Sequence, residues 1–432
     1  MAREMKDSGI EWIGQVPDTW KVVKAKYIFE NHKEIAGKNQ NKYDRLSLTL
    51  KGVLKRSRDD TKGLQSESLE TYQILRKGEL VFKMIDLNNV STSRVGYSPY
   101  EGLVSPVYII FHNPKYSRFG YYYFFSMWQR EIYNHLGNAG VRSSLNASDM
   151  LSLPFLLPPL SEQQKSADFL DEKVKEIDNA IEKTKKTIEL YKKYKQAVIT
   201  EAVTKGLNQN IEMKDSGVEW VKEIPNNWKT IKFPFAVQRI TTGLNPRDNF
   251  KLNEDDATNY YVTIRNFKNG KLFLDSNCDK ITDSSLNLIQ KRSNLRVGDI
   301  LFASISREGQ AYLIKDDPKN WNINESVFSI RINKAFFNEN YFYYLLINSK
   351  FFENLNAEAT GSTFKSIKQE KLKQSIVIMP PIPEQQKIAS FLDKKTKEID
   401  NSIDALNREL KALEKYKKSL IYEYVTGKKE VS

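Results

Sequence analysis

Beginning at Pro158-Pro159-Leu160-Ser161-Glu162-Gln163-Gln164, about 40 residues rich in Lys, Glu, Ile and Leu follow without proline or glycine. Apolar or tolerated residues recur there at Leu170, Val174, Ile177, Ile181, Thr184, Ile188, Tyr191, Lys195, Val198 and Ala202. The steps alternate four and three without a break, which is a heptad seam. Ser161 reads as the N-cap, with Gln164 completing a capping box, and Gly206 as the C-terminal stop. A helix of this length spans roughly 60 Å at 1.5 Å per residue. It is too long and too one-sided to be the core helix of a compact domain, so it needs a partner.

The same chain supplies one. Pro380-Pro381-Ile382-Pro383-Glu384-Gln385-Gln386-Lys387 repeats the opening 222 residues later, and a second seam runs through Leu392, Thr396, Ile399, Ile403, Leu406, Leu410, Leu413, Lys417, Leu420 and Tyr424. Every position is the first seam plus 222, including the polar intruder, Lys195 matching Lys417. Two narrow apolar seams bury each other as a coiled coil, and a lysine in such a seam costs stability and fixes register or snorkels outward. The alternative is that each seam packs on its own neighbouring domain.

A second repeat accompanies the first. MKDSGIEWIGQVPDTW at 5–20 returns as MKDSGVEWVKEIPNNW at 213–228, an offset of 208. The chain is therefore a tandem duplication, and the first copy is 14 residues shorter between the two landmarks. Repeats of this kind govern architecture. Each copy holds a leader whose two tryptophans read as packing anchors, a globular body and a long helix. The division is 1–157, first body with leader; 158–207, first helix; 208–379, second body; 380–429, second helix. In the first body Leu46–Leu50, Glu79–Met84 and Val104–Phe111 look like strands, and Gly120–Leu136 like an aromatic helix. The second offers Tyr260–Arg265, Asp299–Ile305 and Ser326–Ile332 as strands and Asn340–Phe352 as a helix. The expectation is α+β, with mixed or mostly antiparallel sheets. Gly78–Phe82 aligns with Gly298–Phe302 and Leu145 with Ile367; the bodies have otherwise diverged, as two readers of different things on one symmetric support would.

With 432 residues, two or more cores are expected. The net charge of +13 points to a polyanionic partner. Residues 1–160 carry 22 basic and 16 acidic side chains and residues 208–382 carry 24 and 20, so the bodies hold most of the excess. The helices are nearly balanced, as solvated coiled-coil flanks are. One cysteine, Cys278, excludes a disulfide framework and a thiolate metal cluster and fits a reducing cytoplasm. No run of 18 apolar residues spans a membrane, and the N-terminus lacks a signal-peptide core.

Catalytic constellations are missing. The chain has no GxxxxGK[ST], HExxH or CxxC. Asn113-Pro114 continues as Lys115-Tyr116, without the second proline of an amino-methyltransferase motif. Glu172 and Glu182 read as helix-surface charges. His32, His112 and His135 are scattered, without ligand spacing or Ser/Asp and Cys/Asp neighbours, so neither a metal site nor a catalytic residue is expected.

The twin leaders and the twin Pro-Pro-x-x-Glu-Gln elements, each opening a heptad helix, closely resemble the specificity subunits of type I restriction–modification systems over the whole chain. Leu46-Ser47-Leu48-Thr49 with Gly52-Val53, Gly298-Asp299-Ile300-Leu301 and Ser306-Arg307-Glu308-Gly309 are further family-like pieces; the last is degraded to Asp86-Leu87-Asn88-Asn89 in the first body. The resemblance implies a cytoplasmic, non-catalytic DNA-binding subunit whose two bodies are target-recognition domains. Each reads one half of a split, asymmetric site in double-stranded DNA. The helices form an intramolecular antiparallel coiled coil that sets the spacing. Two methyltransferase (modification) subunits dock on it and methylate adenine at N6, and restriction (translocase–nuclease) subunits join them. S-adenosylmethionine, ATP and magnesium then belong to those partners, and this chain carries no cofactor. Two domains meeting the same face of a duplex place half-sites about 34 Å apart.

Arginine reads guanine, asparagine or glutamine reads adenine, and phosphate contacts position the protein. The candidates in the first body are Arg45, Thr49, Lys51, Arg56, Lys83, Asn88, Asn89, Arg94, Arg142 and Ser144. In the second they are Arg265, Asn266, Lys268, Ser304, Ser306, Arg307, Gln310, Thr363 and Lys365. Arg142 and Arg307, each on a glycine-flanked loop, stand out. For every one of them the competing reading is a solvated or structural side chain. Two other classes compete for the whole chain. An enzyme, nuclease or methyltransferase, is opposed by the missing motifs. A coiled-coil adaptor without a DNA role is opposed by the basic, diverged bodies.

Overall fold

The computed structural model describes residues 3–57, 68–87, 91–136, 144–208, 210–268, 270–305, 310–356 and 366–431. The chain forms two compact units, Met1–Lys185 with Asn407–Ser432, and Lys186–Leu406.

In the first unit the leader is a hairpin of β1 (Met5–Asp7) and β2 (Gln15–Pro17). The body follows as β3 (Lys21–Lys24), β4 (Glu30–Asn31), β5 (Arg45–Thr49), β6 (Gly52–Arg56), β7 (Gln73–Leu75), β8 (Leu80–Phe82), β9 (Val95–Tyr97), β10 (Gly102–Val104), β11 (Ile109–His112), α1 (Ser117–Gln129), α2 (Ile132–Leu136), α3 (Ala147–Ser152) and β12 (Pro154–Leu157). The long helix α4 is Leu160–Lys205, and its residues beyond Lys185 belong to the second unit. Two four-stranded sheets result, β6-β5-β10-β7 and β4-β11-β8-β9, while β3 pairs with β12. Only β5 and β10 run parallel among these pairs. Leu46, Leu48 and Val53 of one sheet pack on Val81 and Ile110 of the other. A Cβ on Gly96 would lie 2.6 Å from Leu48 Cδ1, so glycine permits the sheets to close. Phe82 and Phe111 turn the opposite face to Phe124 of α1.

The second unit repeats this plan. Its elements are β13 (Met213–Asp215), β14 (Glu223–Pro225), β15 (Lys229–Lys232), α5 (Phe233–Ala236), β16 (Val237–Thr242), β17 (Asn259–Val262), β18 (Phe267–Lys268), β19 (Lys271–Leu272), β20 (Asp279–Ile281), α6 (Asp283–Ser293), β21 (Ile300–Ala303), β22 (Ala311–Leu313), β23 (Trp321–Ile323), β24 (Val327–Ile332), α7 (Glu339–Leu346), α8 (Ser349–Asn356), α9 (Gln369–Gln374), β25 (Ile376–Met379) and α10 (Ile382–Val425), whose residues beyond Leu406 belong to the first unit. The sheets are β16-β24-β21-β22 and β20-β17-β23, again with one parallel pair, β17 on β23. β15 pairs with β25 as β3 does with β12. The α+β tandem expectation holds. Two details differ. The strand expected over Val104–Phe111 breaks at a turn where Tyr108 N donates to Ser105 O. The aromatic helix expected over Gly120–Leu136 is two helices, parted at Glu131, whose φ is +60°.

Both arrangements open for the seams occur, at different heights. In the first unit Leu170, Ile177 and Ile181 of α4 share one core with Leu420 and Tyr424 of α10 and with body residues Trp20 and Phe119; Val174, Leu410 and Leu413 pack against it. In the second unit Ile188 of α4 meets Ile399 and Ile403, with Tyr191 and Leu406 against them. Leu392 joins the second body's core. Early turns of α4 thus meet late turns of α10, and late turns meet early ones: the pairing is antiparallel.

The helix openings correct one expectation. Ser161 is not the N-cap. The ladder starts earlier, because Pro159 O accepts from both Glu162 N and Gln163 N, at 2.9 and 3.0 Å. The buried Gln163 side chain folds back to donate to Pro158 O at 2.8 Å, and Gln385 does the same to Pro380 O at 2.8 Å. That explains the repeated Pro-Pro-x-x-Glu-Gln: the prolines fix the entry and the glutamine satisfies the carbonyl left behind. Gly206 stops α4 as expected, with φ +76° and its N–H on Ala202 O.

Candidate nucleic-acid interface

The same join recurs in each body at the exit of its central strand. In the first, Met84 O accepts from Leu145 N at 3.0 Å and Ile85 bridges Ser144. In the second, Ser304 O accepts from Ile367 N at 2.7 Å and Ile305 bridges Ser366. These bridges bring the segment after the central strand to the segment before the last short helix of the body. The sequences on either side of the joins differ almost completely between the copies.

Seven candidates flank these joins but lie outside the described residues: Asn88, Asn89, Arg142, Ser306, Arg307, Thr363 and Lys365. Lys268 closes β18, and its side chain also lies outside them. The rest fall into two groups in each body.

In the first body one group sits on the β5–β6 hairpin. Arg45 and Arg56 lie opposite one another in register, Arg45 buried and Arg56 half-buried. Thr49 holds the turn, its Oγ1 donating to Gly52 O at 2.9 Å and accepting from Lys51 N at 3.1 Å. Lys51, with 70% of its side chain exposed, reaches within 3.5 Å of Glu182 on α4. The other group follows β8. Lys83 N donates to Arg94 O at 3.0 Å, and its Nζ donates to Thr92 Oγ1 at 3.3 Å. Burial, and then the neighbouring Arg94 charge, pull the Lys83 ammonium below its ordinary range. Arg94 is buried and donates from Nη2 to Asp86 O. Ser144, which bridges Ile85 in the join, is exposed.

In the second body Arg265 and Asn266 occupy a short 3-10 turn after β17. Asn266 Oδ1 accepts from Thr263 N at 2.8 Å and its Nδ2 donates to Cys278 Sγ at 2.9 Å; Arg265 is exposed. Ser304 is buried and donates to Ser326 O at 2.7 Å. Gln310 O accepts from Ala303 N, and its side chain is half-buried. Thr49, Asn266 and Ser304 thus shape turns, whereas Lys51, Lys83 and Arg265 present cations or donors at their edges.

Sequence reading missed one cluster. His32 and His112, scattered in the chain, both meet the buried carboxylate of Glu79, 47 and 33 residues away. Nothing in the spacing signals it; only strand register brings the three together.

The family model for the type I restriction modification DNA specificity domain matches residues 17–191 and 240–413. A protein of Methanocaldococcus jannaschii assigned as a type I restriction enzyme MjaX specificity subunit is 25% identical over 439 residues, covering 96% of this chain and 95% of that protein. The type I restriction enzyme EcoKI specificity subunit of Escherichia coli is 23% identical over 299 residues, 65% of this chain and 60% of that one. A solved structure concerned with complex assembly and conformational transition of the type I R-M system contains a chain with a similar fold. Its TM-score is 0.69 at 13% identity, covering 95% of this chain and 99% of that chain.

Proposed function

The chain belongs to the type I restriction modification DNA specificity family, and from that premise we propose that each of its two bodies reads one half of a split, asymmetric site in double-stranded DNA. Its role in such a system is DNA recognition rather than catalysis. Specificity subunits of these systems act with methylase and restriction subunits and DNA. In this reading two methyltransferase subunits dock along the long helices, the helices set the spacer between half-sites, and the methyl-donor and nucleotide chemistry belongs to the partners.

One observation carries the proposal. The frame of each body is duplicated in its leader hairpin, its bounding ladder and its central-strand join, while the segments flanking that join share almost no sequence. A shared frame with unlike loops suits two readers of unlike half-sites. Among described residues, Arg265 of the second body is the leading base-reading candidate: exposed, on a turn pinned by a capping box. Lys51 and Lys83 suit phosphate contacts, which position a protein without reading sequence.

The test is a methylation map. The chain is expressed with its cognate modification subunit in a host lacking N6-methyladenine, and modified adenines are located across the genome. A split, asymmetric motif with a fixed spacer is expected. A short continuous palindrome would overturn the two-reader proposal, and absence of methylation from an assembled complex would favour an adaptor.

A further inference from the structure

Glu79 and Asp299 are equivalent acids. Each follows a glycine of positive φ, Gly78 at +90° and Gly298 at +88°. Each is buried and accepts from the backbone N–H three residues earlier, Arg76 at 2.7 Å and Arg296 at 2.9 Å. A buried carboxylate needs a positive partner. In the second body that partner is a guanidinium: Arg331 donates to Asp299 Oδ1 from Nε at 2.7 Å and to Oδ2 from Nη2 at 2.8 Å.

The first body has no arginine there. Phe111 pairs with Leu80 as Ile330 pairs with Ile300, so His112 occupies the register of Arg331. His112 Nδ1 lies 2.8 Å from Glu79 Oε1, and His32 Nδ1 lies 2.5 Å from the same oxygen. The ligand atoms of the three residues all lie within 4.8 Å of one another. The imidazoles are 32% and 39% exposed, so the cluster is open to solvent on one side.

We infer that His32, His112 and Glu79 form a site for a divalent transition-metal ion of the zinc class. Two imidazole nitrogens and one carboxylate oxygen are a donor set that such ions favour, with a solvent molecule completing four ligands. On its other side His32 Nε2 faces Glu34 Oε2 at 3.8 Å, longer than a hydrogen bond but placed where ligand histidines find an outer carboxylate. Were His32 neutral and donating from Nδ1 to Glu79, its Nε2 would turn a lone pair towards the Glu34 carboxylate. A metal on Nδ1 leaves an N–H there instead. Glu34 is itself held by Arg76, whose Nη2 lies 2.7 Å from Oε1. Metal–ligand bonds of about 2.1 Å spread tetrahedral ligand atoms to roughly 3.4 Å, so His112 must swing away from Glu79 by roughly 0.6 Å and His32 by roughly 0.9 Å. The ion takes the place that Arg331 fills in the second body and ties β8 to its neighbour β11 and to the residue after β4.

The purified full-length chain, stripped with a chelator, is titrated with Co²⁺ and then Zn²⁺. One equivalent of Co²⁺ with visible ligand-field absorption is expected, displaced by Zn²⁺. At about 100 times Kd, Zn²⁺ should raise Tm by roughly 5–10 °C. His112→Arg installs the residue of the second body, so it should fold, keep Tm without metal, and lose the Zn²⁺ response with affinity down at least about 100-fold. His32→Gln should lose binding likewise. No Zn²⁺ response in the wild-type chain, or unchanged affinity in both variants, overturns the site. A cluster whose Tm responds to pH but not to metal is held by protons alone and also overturns it.

Discussion

Lys417 on α10 places Nζ 2.6 Å from Oδ1 and 2.8 Å from Oδ2 of Asp178 on α4. The offset of 222 exchanges the helices and keeps the bond: Lys195 lies 2.7 Å from both carboxylate oxygens of Asp400. The seam lysines therefore neither lie bare in the core nor simply snorkel. Each is 17–18% exposed and reaches across to an aspartate on the other helix. Each pair lies within one compact unit. A slip of one heptad would part both, so the pairs specify register.

Asp178 is half exposed, which limits the pair's worth. Asp178→Ala should cost about 1 kcal/mol, and a double-mutant cycle with Lys417→Ala should give a coupling of about 0.5–1 kcal/mol. Lys417→Met should be near neutral, since an apolar side chain suits the seam. Urea denaturation of the wild type, the two alanine variants, their double variant and Lys417→Met checks this; additive effects of the two alanines would refute the pairing.

A second repeated bond ties each aromatic helix to a long helix. Tyr122 OH donates to Asp171 Oδ1 at 2.6 Å and Tyr344 OH to Asp393 Oδ1 at 2.7 Å. Tyr122→Phe and Tyr344→Phe should each cost about 1.5–3 kcal/mol, the range for a hydrogen bond to a charged group. Burial first, and then the carboxylate, raise the Tyr122 phenol well above its ordinary value. A group whose pKa is raised by folding contributes stability that is fully present below its unfolded pKa, here 10.0, and is lost as pH climbs beyond it. Tm should hold up to about pH 10 and fall above it, less steeply in Tyr122→Phe. Thermal scans across alkaline pH read both effects.

Gly427 and Gly9 make a controlled comparison, with φ of +70° and +67°. A Cβ on Gly9 meets nothing within 4 Å, whereas one on Gly427 would lie 2.4 Å from Pro17 Cδ and 3.0 Å from Trp20 Cζ2. Gly9→Ala should cost about 1 kcal/mol of backbone strain. Gly427→Ala should cost at least about 1 kcal/mol more, because the end of α10 can no longer seat on the leader. Equal shifts in Tm would contradict that.

On DNA, Arg265→Ala should cost about 1–3 kcal/mol and relax one position of the methylated motif. Lys51→Ala should weaken all sequences alike and lower the salt slope of binding by about 1. Binding isotherms at several salt concentrations, with maps of methylated sites, separate the two roles.

The seam was legible because heptad spacing is a one-dimensional signal. Leu170, Ile177, Ile181, Ile188, Leu392, Ile399 and Ile403 are all buried. The leaders' Trp20 and Trp228 were legible as anchors for a similar reason, and each is nearly inaccessible. Ser161 misled because local capping rules ignore a preceding proline carbonyl, which starts the ladder first. The partners of Lys195 and Lys417 needed the antiparallel alignment, which spacing within one helix does not contain. His32, Glu79 and His112 were illegible for a stricter reason. They come together only through the pairing of β11 with β8 and β4, and no local pattern encodes that register. Base-reading side chains share the difficulty, since turn geometry decides whether a donor such as that of Asn266 faces outward or closes its own loop.

The most direct test of two readers on one frame is to make both readers the same. β3 with β12 and β15 with β25 bound the bodies by the same ladder, Lys24 opposite Pro154 and Lys232 opposite Ile376. Residues 25–153 can therefore replace 233–375 without altering the frame. The methylation map of this chain with its modification subunit should show a split palindrome, two inverted copies of the half-site read by the first body, at the wild-type spacer. An unchanged asymmetric motif from the grafted chain would contradict the account.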